Sequence, residues 1–339
     1  MFVMKQILIF TLLIITCSCA MKSSKPEKVN GVSFVASRDT IGEQHIKPIV
    51  SLNANYASLM PFGFIRELSH PEIRFNTERQ WFGEREDGIK QYAKELKKNG
   101  INIMLKPQIW VWNGEFTGFI KMAHEEDWIA LENSYSKFIL KFAQVAEEAD
   151  IDVFCIGTEL EGFVDERPDF WHQLVKDVRN IYKGKLTYAA NWNEYERTPF
   201  WSELDYIGVD AYFPVSDEQT PTLEVCKKGW QAHKNLLKSH FETHQKPILF
   251  TEYGYRSIDY AGKQPWRVDM EEGQVNMEAQ AILTQALFDE FWNEDWFAGG
   301  FVWKWFHQHS EVGASENNRF TPQNKPAEEV IREHYSKYK

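Results

Sequence analysis

Eight short apolar runs, at 31–36, 49–56, 101–110, 153–159, 186–192, 206–213, 247–253 and 299–305, alternate with stretches whose apolar residues recur every three or four positions. The runs are rich in Val, Ile and aromatic residues, and strand-like runs spaced by helical patterns mark repeated β-α units around a parallel sheet. Eight is the number that closes a (β/α)8 TIM barrel. A doubly wound open sheet is the rival, but that fold carries a Gly-rich phosphate loop after a strand, and none follows any of these runs. The chain therefore reads as α/β, a single-domain TIM barrel.

The helices are legible from spacing. Trp128, Leu131, Tyr135, Phe138, Phe142 and Val145 form one apolar face, and Phe170, Leu174, Val178 and Ile181 form another. Ile89, Tyr92, Ala93 and Leu96 form a third, closed by Lys97, Lys98 and Gly100, cations and a glycine where a helix should end. Further helices are expected around 230–241 and 277–292. Between the first two runs the chain is too short for a full helix, so a degenerate first unit is expected.

The ends and the charge narrow the partners. Lys5 precedes an apolar stretch at 7–15 that is too short to span a bilayer as a helix, so residues 1–19 read as an export signal. Cys17 and Cys19 end it, and the polar segment that follows makes 20–29 a flexible tether before a catalytic domain at 30–339. This run resembles a bacterial lipoprotein signal, which implies a lipid on Cys17 or Cys19 and an exported, membrane-anchored protein on a periplasmic or cell-surface face. The alternative is plain secretion. Cys155 and Cys226 are single and far apart, which suits core thiols rather than a disulfide framework. Lys and Arg total 38 against 49 Asp and Glu, a net charge of −11, so nucleic acid would meet a repulsive field. Aromatic residues reach 15% of the chain, with 13 Trp, and flat faces with a polar edge suit both core packing and the CH-rich faces of sugars.

In a TIM barrel the active site lies at the C-terminal ends of the strands. The fourth run ends Phe154-Cys155-Ile156-Gly157-Thr158-Glu159-Leu160 and the seventh ends Thr251-Glu252-Tyr253-Gly254-Tyr255, so each delivers one carboxyl to the rim. Two carboxyls flanking one bond are what glycoside hydrolysis needs, one protonated and one ionised. With Leu186-Thr187-Tyr188-Ala189-Ala190-Asn191-Trp192, Tyr206-Ile207-Gly208-Val209-Asp210-Ala211-Tyr212 and Met104-Leu105-Lys106-Pro107, these segments resemble glycoside hydrolase family 113, TIM-barrel beta-mannanases of a large retaining clan. The resemblance covers nearly the whole mature chain. It implies Glu159 as general acid/base, Glu252 as nucleophile, a beta-linked mannan or manno-oligosaccharide as substrate, and no cofactor. The wider clan usually carries Asn directly before its acid/base to bond the sugar 2-hydroxyl. Here that position is Thr158, and Asn191 is the candidate replacement.

Other rim residues follow the same logic. Tyr212 either donates its phenol to the nucleophile or packs as a rim aromatic. Trp303 and Trp305, two apart in one run, are expected to point the same way, as sugar platforms or as barrel filling. Trp110, Trp112 and Trp192 read as further platforms, Lys106 and Gln108 as binders of sugar hydroxyls, and Asp210 as either a site residue or a structural acceptor, the second being favoured. His307 and His309 lack a companion cluster with metal-ligand spacing, so no metal is expected, and no Gly-x-Ser-x-Gly elbow supports a Ser nucleophile. Two alternatives remain: the same mechanism on another beta-linked glycan such as a glucan, xylan or chitosan, or a glycan-binding lipoprotein without turnover.

Overall fold

The computed structural model describes residues 27–268 and 274–338. The expected export signal, Cys17, Cys19 and most of the expected tether lie outside them. Its elements in chain order are β1 (Val29–Phe34), α1 (Glu43–Ser51), β2 (Tyr56–Leu59), β3 (Phe62–Ile65), α2 (Glu86–Lys98), β4 (Asn102–Leu105), β5 (Gln108–Val111), α3 (Glu125–Glu148) and β6 (Val153–Thr158). There follow α4 (Glu161–Glu166), α5 (Pro168–Ile181), β7 (Lys185–Asn191), β8 (Ile207–Asp210), α6 (Leu223–His244), β9 (Ile248–Tyr253), α7 (Met277–Phe291), β10 (Phe297–Trp305) and α8 (Pro326–Lys337).

Eight strands close a parallel barrel in the order β1-β10-β9-β8-β7-β6-β4-β2, completed by the pairing of β1 with β2. This is the TIM barrel that the alternation of patterns predicts. Val29, Met104, Val153, Leu249 and Phe301 pack together as an inner apolar group, separate from the larger core into which the apolar faces of the helices pack. Every residue named from spacing on α2 and α3 is buried, because the 3.6-residue period turns one stripe of each helix onto the sheet. Gly100, past the end of α2, has φ +75, the left-handed turn that a glycine after a helix supplies.

Two of the eight apolar runs fold differently from the strands expected of them. The run at 49–56 is not a strand: Ile46 and Ile49 are buried on α1, and β2 starts only at Tyr56. The first unit therefore holds a helix of nine residues and is short rather than missing one. The run at 101–110 is two strands, since β5 leaves the barrel and pairs with β3 in a separate parallel ribbon. Pro107, between β4 and β5, has no N–H to give a ladder, which suits a break there. At the N-terminal edge Lys28 is buried and Val29 opens β1, so ordered structure reaches slightly before the expected boundary at 30. Among the described residues no helix is long and apolar enough to cross a membrane, and Cys155 and Cys226 are free, buried thiols.

Candidate active site

The wall of the barrel mouth formed by β4, β8 and β9 is a hydrogen-bonded group of charges. Asp210 pairs with Glu252 in the β8–β9 ladder after a register shift that leaves one extra residue, Thr251, on β9. Such a bulge re-aims the side chain beyond it. The Lys106 ammonium donates to both oxygens of Asp210 at 2.9 and 3.0 Å and to Glu252 Oε1 at 2.5 Å. Gln108 Nε2 adds a bond to Glu252 Oε1 at 3.1 Å, and Tyr212 Oη donates to Oε2 at 2.7 Å. Three donors thus converge on the Glu252 side chain, which is 6% exposed. That environment suits the acceptor-only, ionised form.

Burial alone would pull the Lys106 ammonium down, but the charges of Asp210 and Glu252 outweigh it and hold its pKa above the usual lysine range. Asp210 is pushed up to about 7, by burial first and then by the Glu252 charge, with Lys106 and the Thr251 hydroxyl opposing. Burial and the neighbouring carboxylates also raise the Tyr212 phenol well above its ordinary value, so it stays a neutral donor.

Glu159 meets the opposite conditions. It follows β6 directly, has φ +50, and is the first residue past the strand. A non-glycine residue in the left-handed region costs about 1 kcal/mol or more, and such positions gather at functional sites. Its N–H donates to Ala189 O at 2.8 Å, and among the described residues its carboxyl makes no hydrogen bond. Burial raises its pKa well above the carboxylate range, the charges of Asp210, Glu252 and Glu194 add to this, and Lys106 opposes. The two rim carboxyls thus lie in very different surroundings, one held by donors and one with its pKa raised, and surroundings that push two carboxyls apart are what glycoside hydrolysis asks of an acid and its ionised partner.

The structure sorts the remaining sequence candidates. Lys106 is fully buried and among the described residues its ammonium bonds Asp210 and Glu252, so it orders the carboxylates rather than meeting sugar hydroxyls. Asp210 is the structural acceptor that was expected. Tyr212 reaches Glu252 and also packs edge-on to Phe320, so both readings of it hold. Thr158 is buried at the end of β6. Asn191 is half-buried, and its Oδ1 accepts the Trp192 N–H at 2.7 Å, leaving the amide NH2 free among the described residues.

Trp303 and Trp305 do not behave alike. Trp305 is fully buried in the outer core with Phe34 and Ile46, while Trp303 is half-buried with the Lys304 ammonium over its ring. The reason is a register shift: Val32 pairs with Val302 but Phe34 with Trp305, so an extra residue on β10 breaks the two-residue alternation. Trp110 and Trp112 are 49% and 74% exposed. Trp192 is half-buried and stacks on Trp266, ring centroids 5.2 Å apart. Trp266, Lys304 and the buried Glu194 were not found from sequence. Trp266 and Glu194 sit in loops with no periodic pattern, while Lys304 sits next to an irregular register. His309 bonds Glu328 and His307 packs on His45, and among the described residues no three His, Cys, Asp or Glu side chains group as metal ligands.

Among solved structures, the GH113 beta-mannanase AaManA from Alicyclobacillus acidocaldarius in complex with ManMIm is similar to this chain, at 26% identity, TM-score 0.81, and coverage of 92% of this chain and 98% of that one. A GH113 beta-1,4-mannanase is similar at 22% identity and TM-score 0.80, over 91% of this chain and 99% of that one. A beta-glucuronidase from Faecalibacterium prausnitzii shares the fold at 15% identity and TM-score 0.63, over 93% of this chain and 50% of that one. No curated protein matches the chain. The family model for Glycoside Hydrolase Family 113 matches residues 36–325, which run from the end of β1 to the start of α8 and take in both rim glutamates. The chain belongs to Glycoside Hydrolase Family 113 and is a glycoside hydrolase.

Proposed function

We propose that this glycoside hydrolase cleaves beta-1,4-mannan or manno-oligosaccharides with retention, using Glu252 as nucleophile and Glu159 as acid/base. The observation that carries the reading is the contrast between the two carboxyls: Glu252 accepts from Lys106, Gln108 and Tyr212, whereas the Glu159 carboxyl has no hydrogen-bond partner among the described residues, and burial with the nearby negative charges raises its pKa. In the first step Glu159 gives its proton to the glycosidic oxygen as Glu252 attacks the anomeric carbon. A glycosyl ester on Glu252 forms and the shortened glycan leaves. Glu159, now a carboxylate, takes a proton from water as that water attacks the same carbon, and the Glu252 ester opens. The anomeric configuration is therefore kept. The Asn191 amide supplies a donor to a sugar hydroxyl in place of the residue that Thr158 replaces, and Gln108 bonds the nucleophile. Trp110, Trp112, Trp192 and Trp303 offer flat faces to the chain of sugars.

Mannan is favoured by the two beta-mannanases that this chain resembles over nearly their full lengths. The experiment is a screen of product release from mannan, glucomannan, xylan, cellulose and chitosan, with the first product's configuration read by NMR. Beta product from mannan is expected. Release from another polymer alone would reassign the substrate, and alpha product would overturn the double displacement. The protein is proposed to act outside the cell, anchored by a lipid on Cys17 or Cys19. Wild-type protein should then partition into detergent, and replacing both cysteines with Ser should release it with unchanged activity. A soluble protein with an unmodified N-terminus would leave simple secretion.

A further inference from the structure

Glu194 is a buried carboxyl to which this mechanism gives no part. It is 1% exposed, and among the described residues no cation pairs with it; Arg197, three residues on, pairs with Glu161 instead. A buried carboxyl without a counter-ion is costly to keep, so its bonds are informative. Glu194 Oε1 accepts from Tyr188 Oη at 2.6 Å, and Oε2 accepts the Asn191 N–H at 2.9 Å. The Tyr188 oxygen in turn accepts the Leu160 N–H at 2.8 Å. Leu160 directly follows Glu159, whose own N–H is held by Ala189 O at 2.8 Å. The two amides on either side of the Glu159 α-carbon are thus both tied to β7, one through backbone and one through the Tyr188 and Glu194 relay. Tyr188 can lie against this turn because residue 157 is glycine: a Cβ there would come within 2.8 to 2.9 Å of the Trp171, Tyr135 and Tyr188 side chains.

We propose that Glu194 is the positioning residue of the acid: it anchors the Tyr188 oxygen, which fixes the Leu160 N–H and with it the left-handed turn that aims Glu159 into the barrel mouth. Its second oxygen holds the end of β7, so Asn191 and Glu159 are set by one frame. The inference rests on the reading of Glu159 as the acid. It has an electrostatic side as well. Burial pushes Glu194 up to about 8, the charges of Glu161 on α4 and Asp210 on β8 add, and Tyr188 with the Asn191 N–H opposes. Once ionised, Glu194 joins Asp210 and Glu252 in holding the proton on Glu159 against Lys106.

The test compares Glu194→Gln and Tyr188→Phe with wild type on a manno-oligosaccharide, whose leaving group needs a proton, and on an aryl manno-oligoside with an activated leaving group, which does not. On the oligosaccharide both variants should lose roughly tenfold or more in kcat with KM little changed, while kcat/KM on the activated substrate falls less than about threefold. Equal losses on both substrates, or none on either, overturn the proposal. Should Glu194→Gln fail to fold, Tyr188→Phe carries the test, since it cuts the relay but leaves the Asn191 bond. A wild type that cleaves neither substrate, or a Glu159→Ala variant unchanged on both, would instead bring down the reading of Glu159 and this inference with it.

Discussion

Glu252 and Glu159 are the same side chain at the ends of two barrel strands, and their surroundings differ in nearly every respect. Glu252 lies on a wall where a lysine, a glutamine and a tyrosine all donate to it. Glu159 is itself in the left-handed region, and among the described residues no donor reaches its carboxyl, which lies under the combined negative field of Asp210, Glu252 and Glu194. The difference teaches that role follows from environment: donors stabilise a charge, while burial and like charges keep a proton. Exchanging roles would require rebuilding the wall, not moving a carboxyl.

The largest effect should come from removing the carboxyls one at a time. Glu252→Ala is expected to abolish turnover, and azide should restore it with inverted configuration by entering from the vacated face. Glu159→Ala should still form a glycosyl-enzyme from an activated aryl substrate, because that leaving group needs no proton, and azide should then give a product of retained configuration. The readout is product stereochemistry by NMR. Each mutant showing the other's rescue would reverse the assignment of the two environments.

How much of this contrast was legible in the sequence depends on what kind of signal carried it. Glu159 and Glu252 were found because each ends an apolar run, and the TIM barrel puts such ends at the mouth. The helices were found because amphipathic periodicity survives local irregularity. What failed was side-chain direction near the mouth. A strict two-residue alternation sends Trp303 and Trp305 the same way, but an extra residue on β10 separates them. A similar shift on β9 sets Asp210 opposite Glu252. Bulges leave no mark in composition, so the buried place of Lys106 between two carboxylates was not readable either. The run at 49–56 misled for another reason: Ile46 and Ile49 are apolar because α1 packs on the barrel, and a helix end running into a strand reads as one continuous apolar stretch.

A smaller effect should follow from taking the cation out of the donor-rich wall. Lys106→Met would leave Asp210 and Glu252 side by side without the ammonium that bonds both, and removing one partner of a buried pair costs about 3–5 kcal/mol. The sign with pH can be worked out. Asp210 is already raised to about 7 in the fold, so the fold favours its protonated form and loses stability as pH climbs from the ordinary carboxylate range through that value. Without Lys106 its pKa rises further, and the loss grows. The melting temperature of Lys106→Met should therefore lie nearer to wild type at pH 5 than at pH 8. A gap that is constant with pH would mean that Lys106 acts by packing, and the contrast between the two sides of the mouth would lose its electrostatic basis.

The smallest effect should come from trimming a single donor. Tyr212→Phe deletes the bond to Glu252 Oε2 but keeps the ring against Phe320, so packing is retained and Lys106 with Gln108 still hold Oε1. A hydrogen bond to a charged group contributes about 1.5–3 kcal/mol to stability, so the melting temperature should fall by a few degrees, and kcat should drop by roughly tenfold as the carboxylate loses the donor that orients it. The loss should be alike for activated and unactivated leaving groups, because attack by Glu252 is common to both, whereas any defect on the Glu159 side spares the activated substrate. That difference is what separates the two walls in one measurement. A Tyr212→Phe variant that lost activity only with unactivated leaving groups would place the phenol's effect on the acid, across the mouth from the carboxylate it touches.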